Sequence, residues 1–158
     1  MIMKISLIYV GKDDDKFAGE AVKMFEKRIK HYLPFEVTAS GKIHSGGLPP
    51  EIQRETEGRL LLKFIENADL PVLLDVKGKQ FSSVAFSEYI QFAMNRGTRH
   101  LGFIIGGPYG FSEEVYRNVP ERISLSSFTF SHQLVRLIFL EQLYRALTIL
   151  NGEPYHHI

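Results

Sequence analysis

Five short apolar runs divide the chain, and each is followed by a polar or glycine-rich break. They are Ile2–Val10, Phe35–Ala39, Pro71–Val76, Leu101–Ile105 and Ile123–Leu125. Continuous apolar runs of this length are the mark of strands covered on both faces. Between them the apolar residues switch to helical spacing. Ala18, Ala21, Val22, Phe25 and Ile29 form one stripe, which Pro34 should stop near His31 or Tyr32. A second helix is expected from about Glu51 to Asn67, with Ile52, Leu60, Leu61 and Phe64 inward, and a third with Phe86, Ile90 and Ala93 inward. Ser82 or Ser83, Ser112 and Ser131 are placed to cap helices. The stretches Gly41–Pro50 and Lys77–Gln80 are expected as a loop and a turn. Strands alternating with helices predict an α/β fold, a mostly parallel sheet with helices on both faces. Ligands of such folds bind at the C-terminal ends of the strands, here Gly11, Asp75 to Gly78 and Gly106 to Gly110.

The chain has 158 residues, the size of one domain that needs neither metal nor disulfide to hold it. It contains no cysteine, which excludes a disulfide scaffold and thiolate chemistry. The formal charge is +1, so any nucleic-acid partner must be met by local charge or by shape rather than by a uniformly basic surface. The N-terminal run lacks the pattern of a signal peptide, and Leu134–Leu150 is interrupted by Arg136, Glu141 and Arg145. No membrane partner is expected, and a cytoplasmic location is.

That last run is apolar around nearly its whole circumference, through Leu134, Val135, Leu137, Ile138, Phe139, Leu140, Leu143, Leu147, Ile149 and Leu150. A helix on the outside of a monomeric sheet needs one apolar face. The surplus points to a homodimer, although burial within one subunit would also account for it.

Several segments carry residues suited to chemistry. Gly106-Gly107-Pro108-Tyr109-Gly110-Phe111 follows an apolar strand directly, and paired glycines allow close backbone approach. No Lys-Ser or Lys-Thr follows, so this is not a phosphate loop, and the first strand lacks the dinucleotide fingerprint. Leu125-Ser126-Ser127-Phe128-Thr129-Phe130 mixes hydroxyls with aromatic rings, as a pocket for an uncharged heterocycle would, or an ordinary loop with buried phenylalanines. His132 and Arg136 stand four apart at the start of the last helix, placed to meet an anion or move a proton. Glu141 and Arg145 suit a helical ion pair. The tail Pro154-Tyr155-His156-His157 offers a stacking ring and two imidazoles. The adjacent His156 and His157 lack a fixed third ligand nearby and make a poor zinc set, and although spacing leaves His44, His100 and His132 open as further ligands, no metal is expected.

Taken together, these motifs resemble the ribosomal RNA large-subunit methyltransferase H family, the small SPOUT-class enzymes that modify a pseudouridine of 23S rRNA helix 69. The resemblance runs along nearly the whole chain. It is carried by Lys4-Ile5 with Val10-Gly11-Lys12, Leu74-Asp75 with Gly78-Lys79, Ile104 to Gly110, Leu125-Ser126 with Thr129-Phe130, His132 with Leu134-Val135-Arg136, Glu141 to Ala146, and Pro154-Tyr155-His156. It implies a C-terminal trefoil knot, a homodimer and S-adenosylmethionine as cofactor. The cofactor positions of the family fall on Leu74, Gly106 and the run Leu125, Ser126, Ser127, Phe128, Thr129 and Phe130.

The resemblance further implies methyl transfer to N3 of a pseudouridine, with 23S rRNA presented by the assembled ribosome. His132 and His156, and behind them Tyr155 or His157, become candidates for the catalytic proton transfer, and Arg136 for holding RNA phosphate or an imide oxygen. The tail is expected to reach the cofactor pocket of the partner subunit. Three departures stand out. Ser131 replaces a proline, His157 falls where relatives carry arginine or lysine, and Asp13-Asp14-Asp15 is an acidic patch that should face away from RNA. The alternatives are a knotted methyltransferase acting on tRNA or another rRNA site, and a non-catalytic ribosome-associated binding protein.

Overall fold

The computed structural model describes residues 2–11, 16–41 and 47–157. The acidic patch Asp13-Asp14-Asp15, His44 and half of the expected loop Gly41–Pro50 lie outside the described residues. In chain order the elements are β1 (Lys4–Tyr9), α1 (Lys16–Lys30), β2 (Phe35–Ala39), α2 (Pro50–Asn67), β3 (Leu70–Gln80), α3 (Ser83–Asn95), β4 (His100–Ile105), α4 (Glu113–Asn118), β5 (Arg122–Ser124) and α5 (His132–Leu150). The strands form one sheet in the order β2-β1-β4-β3-β5, with every pair parallel.

Side-chain alternation along the strands sorts the core into two layers. Ile5, Leu7 and Tyr9 of β1 join Leu101, Phe103 and Ile105 of β4 on the face packed by α1, α3 and α5. Ile8, Leu73 and Ile104 point the other way, onto Leu61 and Ile65 of α2 and Val115 of α4. The rings of Phe103 and Phe139 meet at 4.7 Å and tie α5 to the centre of the sheet.

The expected caps form. Ser82, Ser112 and Ser131 accept from the backbone N–H groups of Ala85, Val115 and Leu134. Each such side-chain cap is worth about 1 kcal/mol to its helix.

Two elements differ from expectation. On α2 the buried positions are Gln53, Glu57, Gly58, Leu61 and Ile65, whereas Ile52 and Phe64 are exposed. The helix is rotated so that Leu61 and Ile65 reach the core, which carries Glu57 and Gln53 inward with them at spacing i, i+4. The second difference is β3, which does not stop before a turn but runs on to Gln80. Leu74 and Lys79 both pair with Ile123, with a register shift between them. Residues 75–78 therefore bend around β5, and a Cβ on Gly78 would lie 2.6 Å from backbone atoms of Arg122 and Ile123. Only glycine leaves room for that crossing. β5 itself covers Arg122–Ser124, one residue earlier than the apolar run suggests, which frees Leu125 for the following loop.

On α5, Phe139, Leu140, Leu143, Ala146 and Leu147 are buried by the chain itself. Leu134 remains 46% exposed, and Leu137, Ile138, Ile149 and Leu150 are only half-buried. A single subunit thus leaves part of the apolar circumference uncovered.

Candidate active site

The bend of β3 opens a cleft at the C-terminal edge of the sheet. Leu74 completes the ladder with Ile105 of β4, and the chain then turns away through Asp75 and Val76. The Asp75 carboxylate fixes the turn, accepting from the Lys77 N–H at 3.1 Å and from the Tyr116 hydroxyl. Burial and the neighbouring carboxylate push the Tyr116 phenol up to about 12. The Arg122 guanidinium lies 4.4 Å from the centre of the Tyr116 ring, so α4, β5 and the β3 bend meet at one residue.

The opposite wall is the loop that joins β5 to α5. Ser124 Oγ donates to the carbonyl of Ser126 at 3.1 Å, and the N–H of Phe128 donates to Ser126 Oγ at 2.9 Å. These two bonds give a short polar segment a defined shape. Leu74, Asp75, Val76, Ser124, Leu125, Ser126, Phe128, Thr129, Phe130 and Val135 enclose a cleft of about 150 Å³. Apolar surface dominates its lining, with hydroxyls at Ser124, Ser126 and Thr129. Phe128 is 78% exposed, so its ring stands at the mouth instead of filling the core. Greasy walls, a few hydroxyls and free edges of loop backbone suit a flat heterocycle with polar edges.

Six of the eight expected cofactor positions line this cleft. The other two do not. Ser127 turns outward, and its Oγ accepts from Gln80 Nε2 at 3.0 Å. Gly106 sits one residue beyond Ile105 and packs on the Phe111 ring, 3.0 Å from where its Cβ would be.

The expected catalytic residues separate into three environments. His132 opens α5 and is exposed. Arg136 is buried, against the expectation that it shares an open face with His132. Its guanidinium lies 3.7 Å from the centre of the Tyr9 ring, where the aromatic face at the end of β1 attracts the cation. It therefore supports the β1 end of the ligand edge and is not presented to solvent.

The tail folds back on the second half of α5. Tyr155 packs edge-on against Tyr144 at 4.8 Å and donates its hydroxyl to Glu141 Oε1 at 3.1 Å. Burial and Glu141 hold the Tyr155 phenol above its ordinary range. Glu141 also receives Arg145, with Arg145 Nη2 to Glu141 Oε1 at 2.5 Å. His156 Nδ1 lies 3.1 Å from Arg145 Nη1, so that nitrogen is the acceptor and the proton of a neutral ring sits on Nε2. Arg145 is ten residues beyond Val135, about 15 Å along the helix. Tyr155 and His156 are accordingly grouped with each other and not with the cleft of their own chain.

Glu57 is the important position that the motifs did not reveal, and the close crossing at Gly78 is the reason for a glycine that they did contain. The signal for Glu57 was present, since it lies one helical turn before Leu61. Among the described residues no group of three or more His, Asp or Glu is arranged to hold a metal ion. No helix among them is long and apolar enough to cross a membrane.

A parallel sheet with an apolar, hydroxyl-edged cleft at the C-terminal ends of its strands is the architecture of an α/β domain that takes its ligand at that edge. The chain belongs to the SPOUT methyltransferase family: the family model described as "Predicted SPOUT methyltransferase" matches residues 3–156. It is 51% identical over 156 residues to the "Ribosomal RNA large subunit methyltransferase H" of Parabacteroides distasonis, covering 98% of this chain and 99% of that protein. The protein of the same description from Christiangramia forsetii is 52% identical with the same coverage. Among solved structures, a "probable methylase family protein" from Haemophilus influenzae aligns with a TM-score of 0.57 at 7% identity. That alignment covers 100% of this chain and 72% of the other, and the likeness is one of fold.

Proposed function

We propose that this chain is the methyltransferase that places a methyl group on N3 of a pseudouridine in helix 69 of 23S rRNA. In this reading it is a single SPOUT domain that works in the cytoplasm, as a homodimer, on the assembled ribosome. The observation that carries the proposal is the cleft between the β3 bend and the loop 125–130, in a chain about half identical along its length to ribosomal RNA methyltransferases.

SPOUT methyltransferases use S-adenosylmethionine, which supplies an electrophilic methyl group on a sulfonium. The residues of the cleft fit its adenosyl half. Leu74, Leu125 and Phe130 offer apolar walls, Ser126 and Thr129 offer hydroxyls, and Phe128 stands where it can close over the mouth. Holding the adenosyl half there fixes the direction from which the sulfonium methyl is presented, and such alignment is where much of the rate gain of a transfer reaction arises.

The trefoil knot belongs to the same reading. It is supported by Ile123, held between Leu74 and Lys79 of one strand. The homodimer is supported by the uncovered apolar residues of α5. A composite site follows from the tail. Tyr155 and His156 are some 15 Å along α5 from the cleft of their own chain, so they serve the cleft of the partner. His132 and His156 compete for the role of accepting the N3 proton. Arg136 acts as a positioning residue behind the site, since it is buried under Tyr9.

Mass mapping of ribosomal RNA from a deletion strain tests the proposal. The helix 69 methyl should be absent, and purified protein with S-adenosylmethionine should restore it on those ribosomes. A methyl that persists in the deletion strain, or is restored at another nucleotide, overturns the assignment.

A further inference from the structure

One buried carboxylate takes no part in that chemistry. Glu57 of α2 is 3% exposed. Gln53 Nε2 donates to its Oε2 at 3.3 Å, and Oε1 has no hydrogen-bond partner. Burial holds its carboxyl above the usual carboxylate range. Whether charged or neutral, a carboxyl group in such a place has fewer partners than it needs, and buried polar groups are normally satisfied.

The group it touches tells where the missing partner belongs. A Cβ on Gly107 would collide with both carboxylate oxygens of Glu57. The glycine is therefore what admits the carboxylate to this edge of the sheet. Gly107 is half-buried and has no side chain, so glycine backbone forms the cover over Glu57 on that side. It follows Gly106 and begins a turn closed by Gly110 N–H to Gly107 C=O at 3.1 Å, with Gly110 at φ 79°.

S-Adenosylmethionine brings a second cation besides its sulfonium, the α-ammonium of its methionyl end. Two other carboxylates near the ends of the strands and of α5 are already engaged. Asp75 holds Tyr116 and the Lys77 N–H, and Glu141 holds Arg145 and Tyr155. Glu57 alone of these three keeps an oxygen open.

We propose that Glu57 anchors the methionyl α-ammonium of S-adenosylmethionine, across the Gly106–Gly110 turn, while the cleft at Leu74 and Leu125–Phe130 takes the adenosyl half. The proposal rests on the methyltransferase reading and deepens it. It assigns the two ends of one cofactor to the C-terminal ends of two neighbouring strands, the adenosyl half to β3 and the methionyl end to β4. It also gives the second glycine of the pair a chemical task that close packing on Phe111, which explains Gly106, does not.

Calorimetric titration of the full chain with two nucleosides tests it. One is S-adenosylmethionine, and the other is 5′-methylthioadenosine, which keeps the adenosyl thioether and lacks the methionyl chain. Glu57→Gln preserves shape and hydrogen bonding but removes the charge. It should weaken S-adenosylmethionine about tenfold or more, the loss expected for a hydrogen bond to a charged group. Binding of 5′-methylthioadenosine should stay within about twofold, because it has no ammonium to lose. Equal weakening of both nucleosides, or of neither, overturns the proposal while leaving the methyltransferase reading intact. A wild-type protein that binds neither nucleoside overturns both. Should Glu57→Gln fail to fold, the wild-type protein can be titrated with a cofactor analogue lacking the α-amino group. It should bind about tenfold more weakly than S-adenosylmethionine, and equal binding sinks the proposal.

Discussion

The hydroxyl of Tyr116 donates to the carboxylate of Asp75, joining α4 to the bend by which β3 passes around β5. This bond steadies the bend that walls the cleft proposed for the cofactor, and its loss should be felt both in stability and in binding. Tyr116→Phe keeps the ring packed on Phe111 and beneath Arg122. A hydrogen bond to a charged group contributes about 1.5–3 kcal/mol, so the variant should unfold at measurably lower denaturant. The alkaline limb provides a separate check. Tyr116 in the folded chain is raised to about 12 against an ordinary value of 10.0. Between those values the unfolded chain releases the proton and the native chain keeps it, so stability falls as pH rises through that window. Melting curves across it should fall less steeply for Tyr116→Phe than for wild type. Parallel curves would remove Tyr116 from the balance.

Gly78→Ala should be among the most damaging single changes in the chain. Its added methyl meets backbone of Arg122 and Ile123, which cannot rotate away as a side chain would. Overpacking of this kind costs about 1–3 kcal/mol or more. Gly97→Ala is the comparison, having nothing within 4 Å and only a φ of 84° to resist it. Left-handed backbone costs an alanine about 1–2 kcal/mol. Urea midpoints should rank Gly78→Ala well below Gly97→Ala, and the reverse order would mean that β5 does not cross Gly78 closely in solution.

Ser126→Ala tests the shape of the cofactor loop. It removes the acceptor for the Phe128 N–H and leaves the carbonyl that Ser124 binds. A net loss of about 1 kcal/mol in the ordered loop corresponds to roughly fivefold weaker S-adenosylmethionine binding. The melting temperature should hardly move, since the site is half-exposed. Unchanged affinity would show that the loop keeps its form without this bond.

Leu134→Glu examines the dimer. The residue is 46% exposed in one subunit, so a charge there is harmless to a lone chain. In a twofold interface it is paired with its own copy or buried against the partner, and either is unfavourable. Sedimentation equilibrium should show a shift towards monomer with the fold intact. A variant as dimeric as wild type would place the interface elsewhere.

Mixed dimers examine the tail. A subunit with a disabled cleft and a subunit lacking residues after Pro154 should each be inactive alone. Random mixing leaves one competent cleft in every heterodimer, about a quarter of all sites. Recovery to that level is the expected result, and no recovery means that each tail serves its own chain.

The strands and helices were legible because they are encoded locally. Ser82, Ser112 and Ser131 cap as their positions predict, and Phe86, Ile90 and Ala93 face inward. The loop Leu125–Phe130 was recognisable from its mixture of hydroxyls and rings, and most of it does line the cleft. What could not be read depends on partners remote in the chain. Lys77 to Gln80 looks like a turn because it is polar and contains glycine, yet it is strand, since β5 arrives some 45 residues later to pair with it. On α2 the large side chains of Ile52 and Phe64 suggested the wrong face, while the i, i+4 row through Leu61 runs back to Glu57 and Gln53. Arg136 looked like a solvent-facing partner for His132, and only the position of Tyr9 shows why it is drawn inward.

The crossing of β5 inside the crook of β3 also has a bearing on biosynthesis. The cleft wall from Ser124 to Val135 comes from residues well after the β3 bend that it faces, so the bend has no opposite wall until β5 and the start of α5 are in place. A chain stopped before β5 therefore lacks the cleft altogether, and truncated products of that kind should be inert by geometry rather than merely less durable.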